Sequence, residues 1–445
     1  MKFSTKNETA EDIKVESVQP FFGEAWEQAL ARLPSSIDLE ESARSAKALL
    51  RRREVKSAVD LLRLVLAYTV CDWSLRLVGA WYALIGLGSL SDVAVLKRVR
   101  GCQAWLGRLI FAILQARRVQ LVQRVGVRLR IMDGTAVSQP GSPGTDWRVH
   151  LSLDLGGLCL DGVEVTDDRT GETFVHCPTR PGDIRVGDRG YAFAGSIGPV
   201  LASEGWLVVR IDWQNLRLEK PEGMRVDLSA HLQQMCLAEP VREQAVYLNT
   251  PQGRFALRWI IAALPQEVAD QARRRLRKRY RKKGKTPDQR TLLAAGFILL
   301  LTNLPSQEWP AKEVLKLYRI RWQVEVCIKR LKSILRLDQV RAQHPKLAQV
   351  YLLGKLLAAL LVDELVQQAQ RQCPAWFGMT ERPVSLWRLT TLFFDGLRDA
   401  VRGTITLPMV LEALPSLRRF LCDTPRKRPQ QLTHARALLA RLSGC

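Results

Sequence analysis

The chain has 445 residues, of which 47% are apolar, and a formal net charge of +23. Its length exceeds that of one ordinary domain and its apolar content excludes a disordered chain, so we expect two or three packed units. A positive charge of this size favours a polyanionic partner. Because the basic residues are spread along the whole chain, we expect nucleic acid and not a membrane surface.

The nine cysteines include no CxxC pair, so they predict neither a zinc site nor a disulfide framework. This cysteine usage is typical of a protein of the reducing cytoplasm. The opening residues, MKFSTKNETAEDIK, have no apolar stretch behind their basic residues and do not predict a secretory signal.

The first quarter of the chain is predicted to be helical. From about Ile37 to Arg118 the apolar residues recur at helical spacing, and Ser91 and Asp92 offer a cap for one of the helices. The most apolar part, Leu61 to Leu90, is interrupted by charged residues, which indicates buried helices and not a membrane span. We therefore expect a helical DNA-binding region over residues 1–124, in which basic residues contact either phosphates or solvent.

Short β-rich runs begin near Gly126. They are VRLRIMDG, WRVHLSLDL, LCLDGVEVTD, GDIRVGDRG and, after a gap, WLVVRID. They predict three strands, a crossover and two further strands. The segment from Trp213 to Gly296 interrupts this pattern with the runs AVYLNT and FALRWIIAAL around a turn at 251–253, which indicates a β-rich insertion within a domain. The strand GFILLLTNL follows it.

A strongly basic segment lies near the end of this insertion. Residues 273–285, RRRLRKRYRKKGK, contain ten basic residues and no acidic one. One interpretation is a solvated loop. We favour phosphate binding, because each neutralised phosphate releases counterions. The candidate DNA-binding residues of this segment are Arg277, Lys278, Arg279, Arg281 and Lys282.

A helix is predicted from Ala311 to Leu335, and helical patterns fill the chain beyond it up to a basic tail. One face of this helix carries Tyr318, Arg321, Glu325 and Lys332, all within about 60° of one another. An apolar stripe about a quarter turn away would pack the helix on a sheet; it consists of Leu317, Ile320, Val324, Ile328, Leu331 and Leu335. Considered alone, Glu325 and Lys332 would be surface charges.

Three motifs resemble those of one enzyme family. The run YRIRWQVEVCIKRLK resembles the signature YxxRxxxExxxxxxK of the insertion-sequence-four family of DDE transposases at every fixed position. MDGT at 132–135 and VGDRGY at 186–191 resemble the two aspartate motifs of that family, in the same order.

The resemblance implies an α/β protein with a ribonuclease-H-like catalytic core. The core would comprise 125–212 and 297–345, the β-rich insertion 213–296, and helical regions would flank the core at 1–124 and 346–445. By this likeness Asp133, Asp188 and Glu325 are the catalytic metal ligands. The accessory residues Tyr318, Arg321 and Lys332 lie on the same helix, and Arg321 and Lys332 would hold phosphates beside the cut.

The chemistry of the ligands agrees with this assignment. Phosphodiester cleavage uses two hard cations about 4 Å apart, and carboxylates are suitable ligands for Mg²⁺, for which Mn²⁺ can substitute. The alternatives are that Asp133 is a turn residue before Gly134 and that Asp183 takes the place of Asp188. The other acidic residues of the strands are expected to be surface groups: Asp154, Asp161, Glu164, Asp167 and Asp168. The histidines show no ligand spacing.

Two aromatic positions allow base stacking. Trp322 would stack a base or pack in the core. Some relatives are thought to cut through a DNA hairpin, with a tryptophan that stacks a flipped base at the position of Phe297 or Ile298 here; Phe297 could stack in the same way or lie buried in its strand.

We therefore expect a cytoplasmic transposase that binds the terminal inverted repeats of an insertion sequence in double-stranded DNA and catalyses metal-dependent cleavage and strand transfer. Because two ends are cut together, we expect at least a homodimer on DNA. The alternatives are a catalytically silent DNA-binding protein and a nuclease that does not join strands, with membrane association a distant third.

Overall fold

The computed structural model describes residues 24–122, 128–214, 216–234, 240–378 and 384–421. The opening segment of the chain, the predicted boundary between residues 124 and 125, the basic tail and His434 lie outside these ranges. In the described part, helices flank a mixed β-sheet, so the predicted α/β class is confirmed.

Helices joined by short loops make up the first described range, residues 24–122. Ser91 caps the fifth helix, as predicted, since its hydroxyl accepts a hydrogen bond from Ala94 N at 3.2 Å. The predicted buried segment Leu61 to Leu90 falls largely in the third and fourth helices, which lie in the core. Within the described ranges no helix is long and apolar enough to cross a membrane. The helices are α1 (Glu24–Leu30), α2 (Leu39–Ser45), α3 (Ala58–Val70), α4 (Leu75–Leu84), α5 (Asp92–Arg100) and α6 (Gln103–Val122).

The strands that follow form one nine-stranded sheet in the order β3-β2-β1-β4-β5-β9-β8-β7-β6. All the predicted β-rich runs lie in these strands. The strands are β1 (Arg128–Val137), β2 (Trp147–Asp154), β3 (Cys159–Asp167), β4 (Asp183–Gly187), β5 (Trp206–Arg210), β6 (Leu218–Glu219), β7 (Val241–Thr250), β8 (Gly253–Ala263) and β9 (Phe297–Thr302).

The first five strands form one half of the sheet. β1, β2 and β3 are antiparallel neighbours, whereas β4 is parallel to β1 and β5 is parallel to β4. β9 then pairs antiparallel with β5 on one side and with β8 on the other. The sheet is therefore continuous across the predicted divisions after residues 212 and 296; those divisions, and the one after residue 345, stay predictions.

Helices cover both faces of the sheet. Along β5, Val208 lies in the large core shared with the terminal helices, while Leu207 and Val209 lie in a second core on the opposite face. The helices between and after the strands are α7 (Ala194–Ala202), α8 (Leu228–Gln233), α9 (Gln266–Arg281), α10 (Gln289–Ala294), α11 (Ala311–Arg319), α12 (Trp322–Ile334), α13 (Pro345–Gln372), α14 (Pro374–Gly378), α15 (Leu386–Arg402) and α16 (Leu407–Leu421).

The prediction of a single helix from Ala311 to Leu335 is wrong, because the structure has two helices there, α11 and α12. Between them Arg321 N donates to Tyr318 O at 3.1 Å and Val324 N donates to Arg321 O at 3.2 Å. Hydrogen bonds of this i to i+3 type wind the backbone more tightly than an α-helix. The predicted apolar stripe is buried, except that Ile320, at the junction, is half-buried.

The prediction that Asp154 and Asp161 are surface groups is also wrong. Asp154 accepts a hydrogen bond from Gly157 N at 2.6 Å, and Asp161 pairs with Arg128 and Arg130 inside the sheet. A carboxylate can be buried in this way when a guanidinium neutralises it. Glu164, Asp167 and Asp168 are exposed, as predicted.

Candidate active site

The register of the two parallel strands sets the first two predicted carboxylates side by side. Ile131 on β1 lies opposite Val186 on β4. Asp133 and Asp188 stand two residues further along their chains, so both lie where β4 ends. Each carboxylate accepts a backbone hydrogen bond within its own motif at 2.8 Å, Asp133 from Gly134 N and Asp188 from Gly190 N.

Glu325 approaches from the helical layer. It lies in the first turn of α12, which packs on β1 and β2. Arg321, at the start of the same helix, forms an ion pair with Glu325 and lies with its Nη1 3.7 Å from Asp133 Oδ2. Arg321 therefore joins the first and the third predicted carboxylates.

Tyr318 lies beneath this arginine. The Arg321 guanidinium carbon is 5.9 Å from the centre of the Tyr318 ring. Burial raises the pKa of the Tyr318 hydroxyl, while Arg321 and Arg210, the last residue of β5, oppose that shift. The tyrosine and arginine of the signature thus form one packed unit with the end of β5.

Burial dominates the electrostatics of Asp133, whose side chain is 15% exposed. It raises the pKa of Asp133 to about 6; the nearby charge of Asp188 adds to the shift, and Gly134 N and Arg321 oppose it. Burial also raises the pKa of Glu172, again with help from Asp188. Glu172 was not among the predicted residues, because a single glutamate in a loop carries no periodic or motif signal.

The donor set at this place suits a hard divalent cation. Carboxylate oxygens are the ligands that Mg²⁺ takes from proteins. In the described part of the chain, no three His, Cys, Asp or Glu side chains already stand close enough to hold an ion together. Arg321 supplies the positive charge between Asp133 and Glu325 in this structure.

The remaining signature residues lie at the edge of the core. Lys332 is half-buried on α12. Trp322 is 61% exposed, so core packing, one of its two predicted roles, is excluded, and its ring is accessible to a ligand.

Asp183, the alternative to Asp188, has structural partners. It lies at the opposite end of β4 and is 1% exposed. Its carboxylate pairs with Arg128 at 3.3 Å and with Arg130 at 2.9 Å. Both of its oxygens are engaged, whereas Asp188 is partly exposed and, among the described residues, forms no ion pair.

The basic segment is helical from residue 273 to Arg281, within α9, and not a loop. The predicted contact residues Arg277, Lys278, Arg279, Arg281 and Lys282 are exposed. Part of this helix lines a cleft of about 310 Å³ that extends to the end of β5. Lining residues include Arg189, Arg210, Arg275, Arg279, Tyr280 and Phe297.

This cleft extends from the basic helix to the residue that follows the second aspartate motif's Asp188. Arg189 directly follows Asp188 in the chain. Arg210 lies close enough to Tyr318 for the two side chains to interact electrostatically. Phe297, one of the two predicted stacking positions, lines the cleft, whereas Ile298 packs against the large core.

Comparison with known proteins gives matches across most of the chain. Residues 126–361 match the family described as "Transposase DDE domain". The putative transposase InsL for insertion sequence element IS186A of Escherichia coli K12 is 39% identical over 347 residues, which are 77% of this chain and 94% of that protein. The transposase for insertion sequence element IS421 of Escherichia coli is 39% identical over 348 residues, with the same coverage.

More distant relatives are also found. The transposase for insertion sequence element IS231F of Bacillus thuringiensis subsp. israelensis is 25% identical over 78% of this chain and 80% of that protein. Among solved structures, a piggyBac transposase synaptic complex with hairpin DNA aligns with a TM-score of 0.41 and 10% identity, over 93% of this chain and 84% of that chain. A TM-score of this size is too low for the two folds to be compared.

Proposed function

Because the chain belongs to the DDE-domain transposases of insertion sequences, we propose that it binds the terminal inverted repeats of its element and catalyses metal-dependent DNA cleavage and strand transfer. Asp133, Asp188 and Glu325 are the metal ligands in this proposal. The chain is assigned to the insertion-sequence-four group on its signature from Tyr318 to Lys332. Its site of action is the bacterial cytoplasm, where the element's DNA lies.

The observation that carries the assignment is the convergence of the three motifs. Asp133 and Asp188 follow the last paired residues of two parallel strands by the same two positions. Glu325 is linked to Asp133 through Arg321. Motifs that are far apart in the sequence thus meet at one edge of the sheet, as a site for phosphodiester chemistry requires.

The strand arrangement supports a ribonuclease-H-like core. β1, β2 and β3 are antiparallel and β4 and β5 run parallel to β1, with both aspartates at the edge where β4 ends. The insertion from residue 213 to 296 then lies between β5 and β9 and carries the basic helix α9.

The chain's own residues bind and orient the DNA. Two bound Mg²⁺ or Mn²⁺ ions would supply activation of the attacking oxygen and stabilisation of the leaving oxygen. Arg321 and Lys332 would hold phosphates beside the cut, since Arg can engage two phosphate oxygens at once. The exposed ring of Trp322 would stack a base. A homodimer on DNA would hold the two ends together.

Cleavage of a labelled duplex that carries the terminal repeats, in the presence of Mg²⁺, tests this proposal. We expect the wild type to cut at the tip of the element and Glu325→Gln to bind without cutting. Glu313→Gln is the matched control, because Glu313 is an exposed glutamate on the neighbouring helix α11 and, among the described residues, pairs only with Lys316.

Other outcomes identify the alternatives. Cutting by Glu325→Gln at the wild-type rate would contradict the ligand assignment. Binding without cutting by the wild type would indicate a silent DNA-binding protein. Cutting without joining to a target duplex would indicate a nuclease.

A further inference from the structure

A fourth carboxylate, that of Glu172, lies at the two aspartate motifs. Glu172 stands in the loop between β3 and β4. A methyl group at Gly134 would come 2.9 Å from Glu172 Oε1, and one at Gly190 would overlap Glu172 Oε2. The Glu172 carboxylate therefore fills the space that side chains would otherwise occupy beside Asp133 and Asp188.

This position explains the glycine in each motif. Neither glycine has a positive φ, so backbone conformation does not require it. A Cβ atom at either position would displace the Glu172 carboxylate, so the two glycines leave room for it where it lies.

The loop is anchored on both sides of Glu172. On one side, His176 Nε2 donates to Gly171 O at 2.9 Å and His176 Nδ1 donates to Glu164 Oε2 at 2.8 Å. On the other side, Phe174 N donates to Ser196 Oγ at 3.0 Å, and the Phe174 ring is fully buried. The backbone on both sides of Glu172 is therefore held in place by contacts with the rest of the fold.

Negative charge at this place exceeds the positive charge that pairs with it. Asp133, Asp188 and Glu172 lie at this edge of the sheet, Glu325 faces them from α12, and Arg321 pairs with Asp133 and Glu325. Within the described ranges no basic side chain forms an ion pair with Glu172, although the charge of Arg148 acts on it. A bound cation would offset the repulsion among these carboxylates.

A second observation comes from Tyr191. Its side chain is fully buried, and its hydroxyl has no hydrogen-bond partner in the described part of the chain. The Tyr191 ring lies 4.9 Å from the ring of Phe174, and its hydroxyl is within electrostatic reach of Glu172, Asp133 and Asp188. A buried hydroxyl without a partner is costly, so its position among carboxylates indicates a group that is still to be bound there.

We propose that Glu172 is a fourth carboxylate of the metal centre and helps Asp133 and Asp188 to hold a divalent cation. This proposal rests on the proposed function, because it concerns the same metal site.

Calorimetric titration of the purified full chain with Mn²⁺ alone, without DNA, tests the proposal. We expect Glu172→Gln to weaken Mn²⁺ binding by about tenfold or more, the range found when residues that support a metal site are replaced. Asp168→Asn is the matched control, because it removes an exposed carboxylate from the same loop and should leave the affinity unchanged. Asp133→Asn reports on the site as a whole.

The outcomes separate the two proposals. Wild-type affinity in Glu172→Gln together with weak binding in Asp133→Asn overturns the role of Glu172 and leaves the proposed function intact. Wild-type affinity in both variants, or no binding by the wild type, overturns both. Melting in the absence of metal checks folding. If Glu172→Gln does not fold, Glu172→Asp is measured instead. This variant keeps the negative charge but shortens the side chain by one methylene, which moves the carboxylate away from the site. Unchanged Mn²⁺ affinity in Glu172→Asp would also overturn the proposal.

Discussion

Arg321 lies with its guanidinium 3.7 Å from the carboxylate of Asp133, although the two residues belong to a helix and a strand that are far apart in the sequence. The same guanidinium pairs with Glu325. Arg321 therefore pairs with two of the proposed metal ligands, and a cation bound by them would have to compete with its charge.

Replacement of Arg321 should separate metal binding from catalysis. In Arg321→Gln we expect a higher Mn²⁺ affinity of the free protein, because the competing charge is lost. We expect cleavage to fall by roughly tenfold to 100-fold, since a hydrogen bond to a charged group contributes about 1.5 to 3 kcal/mol. Titration calorimetry and the cleavage assay measure the two effects. Arg319→Gln is the control, because Arg319 is exposed at the end of α11; this variant should change neither the Mn²⁺ affinity nor the cleavage rate. A lower Mn²⁺ affinity in Arg321→Gln would contradict the competition between Arg321 and the cation.

The raised pKa of Asp133 predicts that its ionised carboxylate destabilises the folded, metal-free protein, and that this effect depends on pH. Burial raises this pKa from 3.8 to about 6, so the metal-free protein is fully stable with respect to this group below about pH 4 and loses stability as the pH rises through 6. Asp133→Asn should therefore stabilise the metal-free protein at pH 8 by up to about 3 kcal/mol, because one pKa unit corresponds to about 1.4 kcal/mol.

Denaturant unfolding at pH 8 and at pH 4, with a chelator present, measures this effect. The gain in Asp133→Asn should vanish at pH 4. An equal gain at both pH values would show that the charge of Asp133 is not its cause.

Replacement by asparagine should lower the stability of the protein at Asp183 and the cleavage activity at Asp188. Asp183→Asn removes a partner of the buried Arg130 and of the half-buried Arg128, and it should lower the free energy of unfolding by about 3 to 5 kcal/mol. Asp188→Asn keeps the oxygen that accepts from Gly190, so it should change the melting temperature little and abolish cleavage. If cleavage instead survives in Asp188→Asn, the second ligand has been misassigned.

The cleft beside α9 should contribute to DNA affinity through charge. In Arg275→Ala/Arg279→Ala we expect the slope of log K against log salt concentration to fall by about two, since each phosphate contact contributes about 0.9. Arg274→Ala is the control, because Arg274 is exposed on the same helix but does not line the cleft. Fluorescence anisotropy with a labelled duplex at several salt concentrations gives the slopes. Equal slopes in the double variant and in Arg274→Ala would exclude a contribution of the cleft to DNA binding.

The strands could be predicted because their signals are local: alternating β-rich runs predict strands. The resemblance named Asp133, Asp188 and Glu325 as metal ligands; the structure brings their motifs to one edge of the sheet, and their role stays a prediction. The continuation of the sheet from β5 through β9 into the insertion was not predicted, because the residues of one strand do not indicate which other strand it pairs with.

The features that the sequence does not reveal depend on contacts between distant segments. Asp161 is buried because β3 carries it against the arginines of β1, which a reading of β3 alone cannot detect. Glu172 approaches Gly134 and Gly190 only after three separate segments have folded. The break at Ile320 and Arg321 has neither proline nor glycine to mark it, so a continuous helix was the natural prediction.

The continuous sheet also links the cleft to the carboxylates. β9 is hydrogen-bonded to β5 and to β8, and α9 follows β8 after two residues, so the cleft and the carboxylates belong to one rigid framework. A shift of the cleft towards or away from the carboxylates would break a row of backbone hydrogen bonds. If the proposed function holds, we therefore expect a DNA strand along α9 to present the same phosphodiester bond in every binding event, so that the ends produced have one defined length.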